Sequence, residues 1–177
     1  MADYLLDTNI LSYWYNPEVP EHPAVLARVH AARQPDPRTN YVSRFFISVV
    51  TLGEIHYGHR VNPPPDAAKQ AEFSRFVEEQ CPVQKEMIDH VAEQYGELKA
   101  WLFNNCGPRN KRSKVKRAEE LVNPTTGKEL GIDENDLWIA AQAKTFNLVL
   151  VTNDSRGNFG KVLKQFEPTL KVENWAE

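Results

Sequence analysis

The sequence predicts an α/β fold with a mostly parallel sheet. Three observations predict it: short apolar, β-branched runs that stop at polar residues, helical stretches between those runs, and few hairpin turn signals. The 177 residues suit one domain. Twelve prolines and eight glycines punctuate the chain without dividing it, so residues 1–177 read as a single domain. Right-handed crossovers in such a sheet place ligand-binding groups at the carboxyl ends of the strands.

The elements follow in order. Tyr4-Leu5-Leu6 is a short strand ending at Asp7. Thr8 to Trp14 reads as a helix that closes before Pro17, and Ala24 to Ala32 as a second. Phe45 to Val50, aromatic and β-branched, is a buried strand. Thr51, with Glu54 three residues on, has capping-box spacing for a helix that stops near Gly58. Pro63-Pro64-Pro65 forces a break. Asp66 to Glu79 is amphipathic and helical, and Cys81-Pro82-Val83 a brief strand. Between Glu86 and Phe103 the residues Met87, Ile88, Val91, Tyr95, Leu98, Trp101 and Leu102 recur at helical spacing. The period is lost over about 104–132, read as a long basic insertion loop with one helical turn near Ala118 to Leu121. Asp136 opens a helix to residue 145, Leu148 to Val151 is a strand ending at Thr152-Asn153-Asp154, and Leu170 to Val172 is a last edge strand.

Charge narrows the function. The net charge is −3, but residues 109–117 hold Arg109, Lys111, Arg112, Lys114, Lys116 and Arg117 with no acid, and without them the remainder carries −9. An acidic body with one basic run is no generic polyanion binder. Two cysteines, Cys81 and Cys106, are too few for a disulfide scaffold and lack zinc-site spacing. The five histidines show no zinc-protease or zinc-finger spacing, and neither a serine-hydrolase elbow nor a glycine-rich phosphate loop is present. The N-terminus has no basic leader or secretory cleavage site, and no apolar run reaches membrane-spanning length, so a reduced cytoplasmic protein is expected.

Four acids stand where they can converge: Asp7 and Asp154 at strand ends, Glu54 and Asp136 in helices that follow strand or turn. Each has an ordinary explanation: Glu54 as the partner of Thr51, Asp136 as that of Asp133, Asp154 as a turn residue. Those explanations leave Asp7-Thr8-Asn9 interrupting two apolar runs at a strand end. Carboxylates at the rim of a buried face are costly without a cation, and no Lys or Arg lies in these motifs. A hard divalent ion such as Mg²⁺, bound through oxygens, is the natural compensation.

Leu5-Leu6-Asp7-Thr8-Asn9-Ile10-Leu11 resembles the opening motif of the PIN (PilT N-terminus) domain. Ile47 through Gly58 is similar to its second motif, Asn135-Asp136-Leu137-Trp138-Ile139-Ala140-Ala141 to its third, and Leu150-Val151-Thr152-Asn153-Asp154 to its fourth. The tail Leu170 to Trp175 resembles the terminus of VapC-type members. The resemblance implies a three-layer sandwich of helices around a parallel sheet, with acids binding Mg²⁺ or Mn²⁺. It implies an endoribonuclease toxin that cleaves RNA, often transfer RNA, is blocked by a VapB-type antitoxin and forms a homodimer. Carried over by position, Asp7, Glu54, Asp136 and Asp154 are the catalytic, metal-site acids, and Asn9 and Thr152 orient them. Asp7 and Asp136 are the first choices for direct ligands, Asp154 completes a second position or binds through water, and Glu54 positions water or outer groups; one metal or two stays open. The basic run grips RNA phosphates or is a solvated loop. Tyr13, Trp14 and Tyr15 belong to the core or a partner groove, and Trp101 and Trp138 to packing.

Two other classes compete. A non-catalytic RNA-binding scaffold would have no use for the acids. A phosphotransferase with Asp7 as nucleophile would place a second Asp where Asn9 stands.

Overall fold

In the computed structural model, the described residues are 2–61, 66–107, 117–153 and 159–177. The elements run β1 (Tyr4–Leu6), α1 (Thr8–Tyr15), α2 (His22–Ala32), β2 (Phe45–Ser48), α3 (Val49–Val61), α4 (Ala67–Gln80), β3 (Val83–Lys85), α5 (Asp89–Cys106), a 3₁₀ turn (Ala118–Glu120), α6 (Glu134–Thr145), β4 (Val149–Val151), α7 (Phe159–Phe166) and β5 (Val172–Glu173). The five strands form one sheet in the order β3-β2-β1-β4-β5, every pair parallel, so the predicted α/β fold with a parallel sheet between helices is the one observed. From β1 the chain winds outward through β2 and β3 on one side, and β4 and β5 extend the other. The boundary between β1 and β4 is therefore the topological switch point, where open α/β sheets bind ligands at the strands' carboxyl ends.

Register determines what meets there. Leu6 pairs with both Ile47 and Val151, so Asp7, Ser48 and Thr152, the next residue in each strand's path, share one edge. Alternate strand residues enter opposite cores. Leu5, Phe46 and Leu150 pack with α5, α6 and α7. Leu6, Ile47 and Val151 pack with α1, α2, Ile55 of α3 and Val77 of α4. Trp175 is 1% exposed and closes the second core, its ring 4.9 Å from Tyr4 and 6.0 Å from Phe45.

Three local differences from the sequence reading have physical causes. β2 passes directly into α3 at Val49, so Thr51 lies inside the first turn and is no cap; the Ser48 hydroxyl accepts from the Val50 amide at 2.9 Å instead. Glu54 is thereby released from the Thr51 box. α3 also continues past Gly58 to Val61; glycine costs a helix only about 1 kcal/mol, which tertiary contacts outweigh.

The stretch after Phe103 is less loop-like than its lost period implies. α5 runs on to the buried Cys106 and stops at Gly107, where a Cβ would come within 2.5 Å of the Phe103 carbonyl oxygen. Ala118, Leu121, Leu130 and Ile132 are buried, and the Val122 amide donates to the Cys106 carbonyl at 2.8 Å. The turn expected near Ala118 to Leu121 is present as 3₁₀ helix. Arg109, Lys111, Arg112, Lys114 and Lys116 lie outside the described residues; Arg117 is exposed.

Candidate active site

Asp7 ends β1 and caps α1, its Oδ1 accepting from the Thr8 amide at 2.6 Å. Its Oδ2 accepts from the Thr152 hydroxyl at 2.9 Å, which the β1–β4 register brings alongside. Asp7 is 7% exposed, and burial pushes its carboxyl up to about 6 against the lowering effect of the two threonines. Glu54 and Asp133 push it the same way.

Asp136 sits in the first turn of α6. Asp133 caps that helix, accepting from the amides of Asn135 and Asp136 at 2.8 and 3.0 Å, and Asp136 Oδ2 accepts from the Asp133 amide at 2.8 Å. The box anticipated as an alternative to a site role is real, yet it does not remove Asp136 from the cluster. Burial, with the charges of Asp133, Asp7 and Glu54, raises Asp136 to about 7 against the Asp133 amide. A capping carboxylate in isolation would be stabilised by the helix N-terminus; here neighbouring acids and burial win.

Glu54 completes the arrangement from α3. One oxygen accepts from the Thr8 hydroxyl, and the other from the Asn135 side-chain amide at 2.9 Å. Asp7, Glu54 and Asp136 thus come together at the switch point, with Thr152 bonded to Asp7. Asn9 is exposed, and among the described residues its side chain makes no hydrogen bond to the acids. Asp154 lies outside the described residues. Thr8 and Asn135 are the contributors that sequence reasoning passed over; both are quoted in the motifs, but their bonds to Glu54 span 46 and 81 residues of chain.

Beside Thr8 and Glu54, a groove of about 790 Å³ opens between α1, α3 and α4, lined by Tyr13, Tyr15, His59 and Phe73 among others. Tyr15 packs edge-on against Phe73, and the Tyr13 hydroxyl accepts from Asn153 at 3.1 Å. Trp14 is buried in the core, while Trp138 stacks flat on Tyr95 with centroids 3.6 Å apart. Trp101 packs against the core beside Phe166.

The donor chemistry fits a hard divalent ion. Asp7, buried, and Asp136, half-buried, are both raised by burial and by neighbouring acids, and such carboxylates gain from a nearby cation. Among the described residues no three His, Cys, Asp or Glu side chains close around one point. Mg²⁺ does not need that many, since it keeps several waters and takes one or two carboxylates plus substrate oxygens.

Solved structures share the architecture. A VapBC2 complex from Rickettsia felis, bound to a DNA fragment from its promoter, matches with a TM-score of 0.62 at 20% identity, over 97% of this chain and 98% of that one. DNA-bound VapBC from Salmonella typhimurium matches at 0.62 and 20% over 99% of each chain, and FitAcB from Neisseria gonorrhoeae at 0.59 and 21% over 97% of each. At such identities the likeness establishes the fold alone. No curated protein matches the chain significantly. The family profile described as PIN domain, however, matches residues 4–163, nearly the full length, and the chain belongs to the PIN domain family.

Proposed function

We propose that this protein is a Mg²⁺- or Mn²⁺-dependent endoribonuclease, the toxin of a toxin–antitoxin pair with transfer RNA or another structured RNA as substrate. PIN domains are typically metal-dependent nucleases that generally use Mg²⁺. The observation that carries the reading is the convergence of Asp7, Glu54 and Asp136 at the switch point, with acids as the strongest charged influences on both aspartates. Solved neighbours are described as VapBC or toxin–antitoxin complexes, which supports an antitoxin partner of VapB type. On this reading residues 1–177 act as one catalytic domain, as a homodimer in the cytoplasm.

Asp7 and Asp136 would hold the ion, with Asp154 as the third acid. A bound ion would polarise the phosphodiester and lower the pKa of water, so that hydrolysis proceeds near neutral pH. Thr152 and the Thr8 amide orient Asp7, and the Asp133 amide orients Asp136. Glu54 and Asp133 add negative charge that favours the cation and opposes bare RNA. Phosphate grip must then come from outside the cluster, and the run Arg109, Lys111, Arg112, Lys114, Lys116 and Arg117 supplies it without reading sequence.

The test is cleavage of total transfer RNA by purified protein with Mg²⁺ or Mn²⁺ and with EDTA. Cleavage is expected only with metal, and Asp7→Asn or Asp136→Asn should abolish it while the protein stays folded. Metal-independent turnover, or full activity in both variants, discards the nuclease reading. Mapping the cut sites on RNA from induced cells identifies the substrate.

A further inference from the structure

The two donors that hold Glu54 have an informative address. Thr8 is the residue after Asp7, and Asn135 is the residue before Asp136. Thr8 donates to one oxygen of Glu54 and Asn135 to the other, at 2.9 Å. A single carboxylate on α3 therefore grips the immediate neighbours of both aspartates, one at the start of α1 and one at the start of α6. Hydrogen bonds to an ionised acceptor are roughly twice as strong as neutral ones.

We propose that Thr8 and Asn135 are positioning residues, and that with Glu54 they form a clamp which sets the separation of Asp7 and Asp136 for a divalent ion. The inference rests on the metal-site reading above and adds residues to it. Glu54 acts in the clamp through both of its oxygens, one accepting from each donor. Losing either donor frees Glu54 to rotate and uncouples α1 from α6 at the site. Partners at this remove from a metal typically govern affinity by 10–100-fold.

The experiment is isothermal titration of the full chain with Mn²⁺ alone, alongside Mg²⁺-dependent RNA cleavage and a thermal melt. Thr8→Val keeps the amide that donates to Asp7 and deletes only the hydroxyl; Asn135→Ala deletes the other donor. Each should weaken Mn²⁺ about tenfold or more, with a wild-type melting temperature within a few degrees. Thr8→Ser, which keeps the hydroxyl, should bind near the wild-type value. The variants act from different helices, so loss of fold in one leaves the other decisive. Wild-type Mn²⁺ affinity in both overturns the clamp, as does a Thr8→Ser variant as weak as Thr8→Val. Wild-type protein that binds Mn²⁺ with this pattern but cleaves no RNA overturns the nuclease reading and leaves the clamp standing. Wild-type protein that binds no Mn²⁺ overturns the clamp too.

Discussion

Replacing Asp7 by Asn should stabilise the metal-free protein in alkaline solution more than in acid. Asp7 titrates near 6 in the fold against 3.8 unfolded, chiefly because burial penalises its charge. An acid whose native pKa is raised contributes no cost below pH 3.8, and stability then falls as pH rises through 6, since the native state binds the extra proton. At about 1.4 kcal/mol per pH unit, the full cost at pH 8 is about 3 kcal/mol, and about half of it is already present at pH 5. Asn carries no charge to bury, keeps a carbonyl oxygen for the Thr8 amide, and offers the Thr152 hydroxyl a donor. Relative to wild type, Asp7→Asn should therefore gain about 1–2 kcal/mol between pH 5 and pH 8. Removing the Asp7 charge also relieves Asp136, which is raised in part by Asp7, and that acts in the same direction. The assay is urea unfolding in EDTA at both pH values. Saturating Mg²⁺ should stabilise the wild type by mass action and leave Asp7→Asn nearly unmoved. An Asp7→Asn effect identical at pH 5 and pH 8 would falsify the claim that a buried negative charge dominates this site.

Other expectations are simpler. Trp175→Ala should cost about 3–5 kcal/mol in urea unfolding, because a buried indole packed on Tyr4 and Phe45 leaves a cavity that three-residue strands cannot close; a loss under 1 kcal/mol would contradict that packing. Cys81 is 2% exposed and its thiol is pushed by burial up to about 12, so native protein at pH 8 should leave it unmodified by maleimide until denaturant is added. Neutralising Lys111, Arg112, Lys114 and Lys116 together should weaken RNA binding and flatten the dependence of log K on log salt by roughly 3; an unchanged slope marks the run as a bystander.

Strand ends were the legible part of the site. Asp7 and Thr152 stand out because each follows an apolar run at a point where a parallel sheet exposes its carboxyl edge, and a short strand leaves little choice of register. Asp136 was legible as a helix start, with its cap and its place in the cluster proving compatible. Thr51 was misplaced because Ser48, still in the strand, does the capping, and spacing alone cannot distinguish two hydroxyls three residues apart. Helix α7 went unnoticed although Phe159, Val162, Leu163 and Phe166 follow i, i+3, i+4, i+7 spacing; two turns beside a strand-like run are a weak periodic signal. The burial of Leu121, Leu130 and Ile132 has no periodicity to announce it, since irregular backbone is pinned there one side chain at a time. Thr8 and Asn135 were quoted within motifs, but what they bond to depends on closure of the whole fold.

The two apolar cores lie on opposite faces of the sheet, and the acids are drawn from both. Asp136 arrives on α6 from one side; Asp7 opens α1 on the other, and α3 straddles the rim with Val50 packed toward the first core and Ile55 buried in the second. The spacing of the carboxylates is thus measured across the thickness of the molecule, as a caliper is set by both jaws. On the proposed metal-site reading, repacking either face, at Leu137 or at Ile10, would shift that spacing and with it the affinity for the ion.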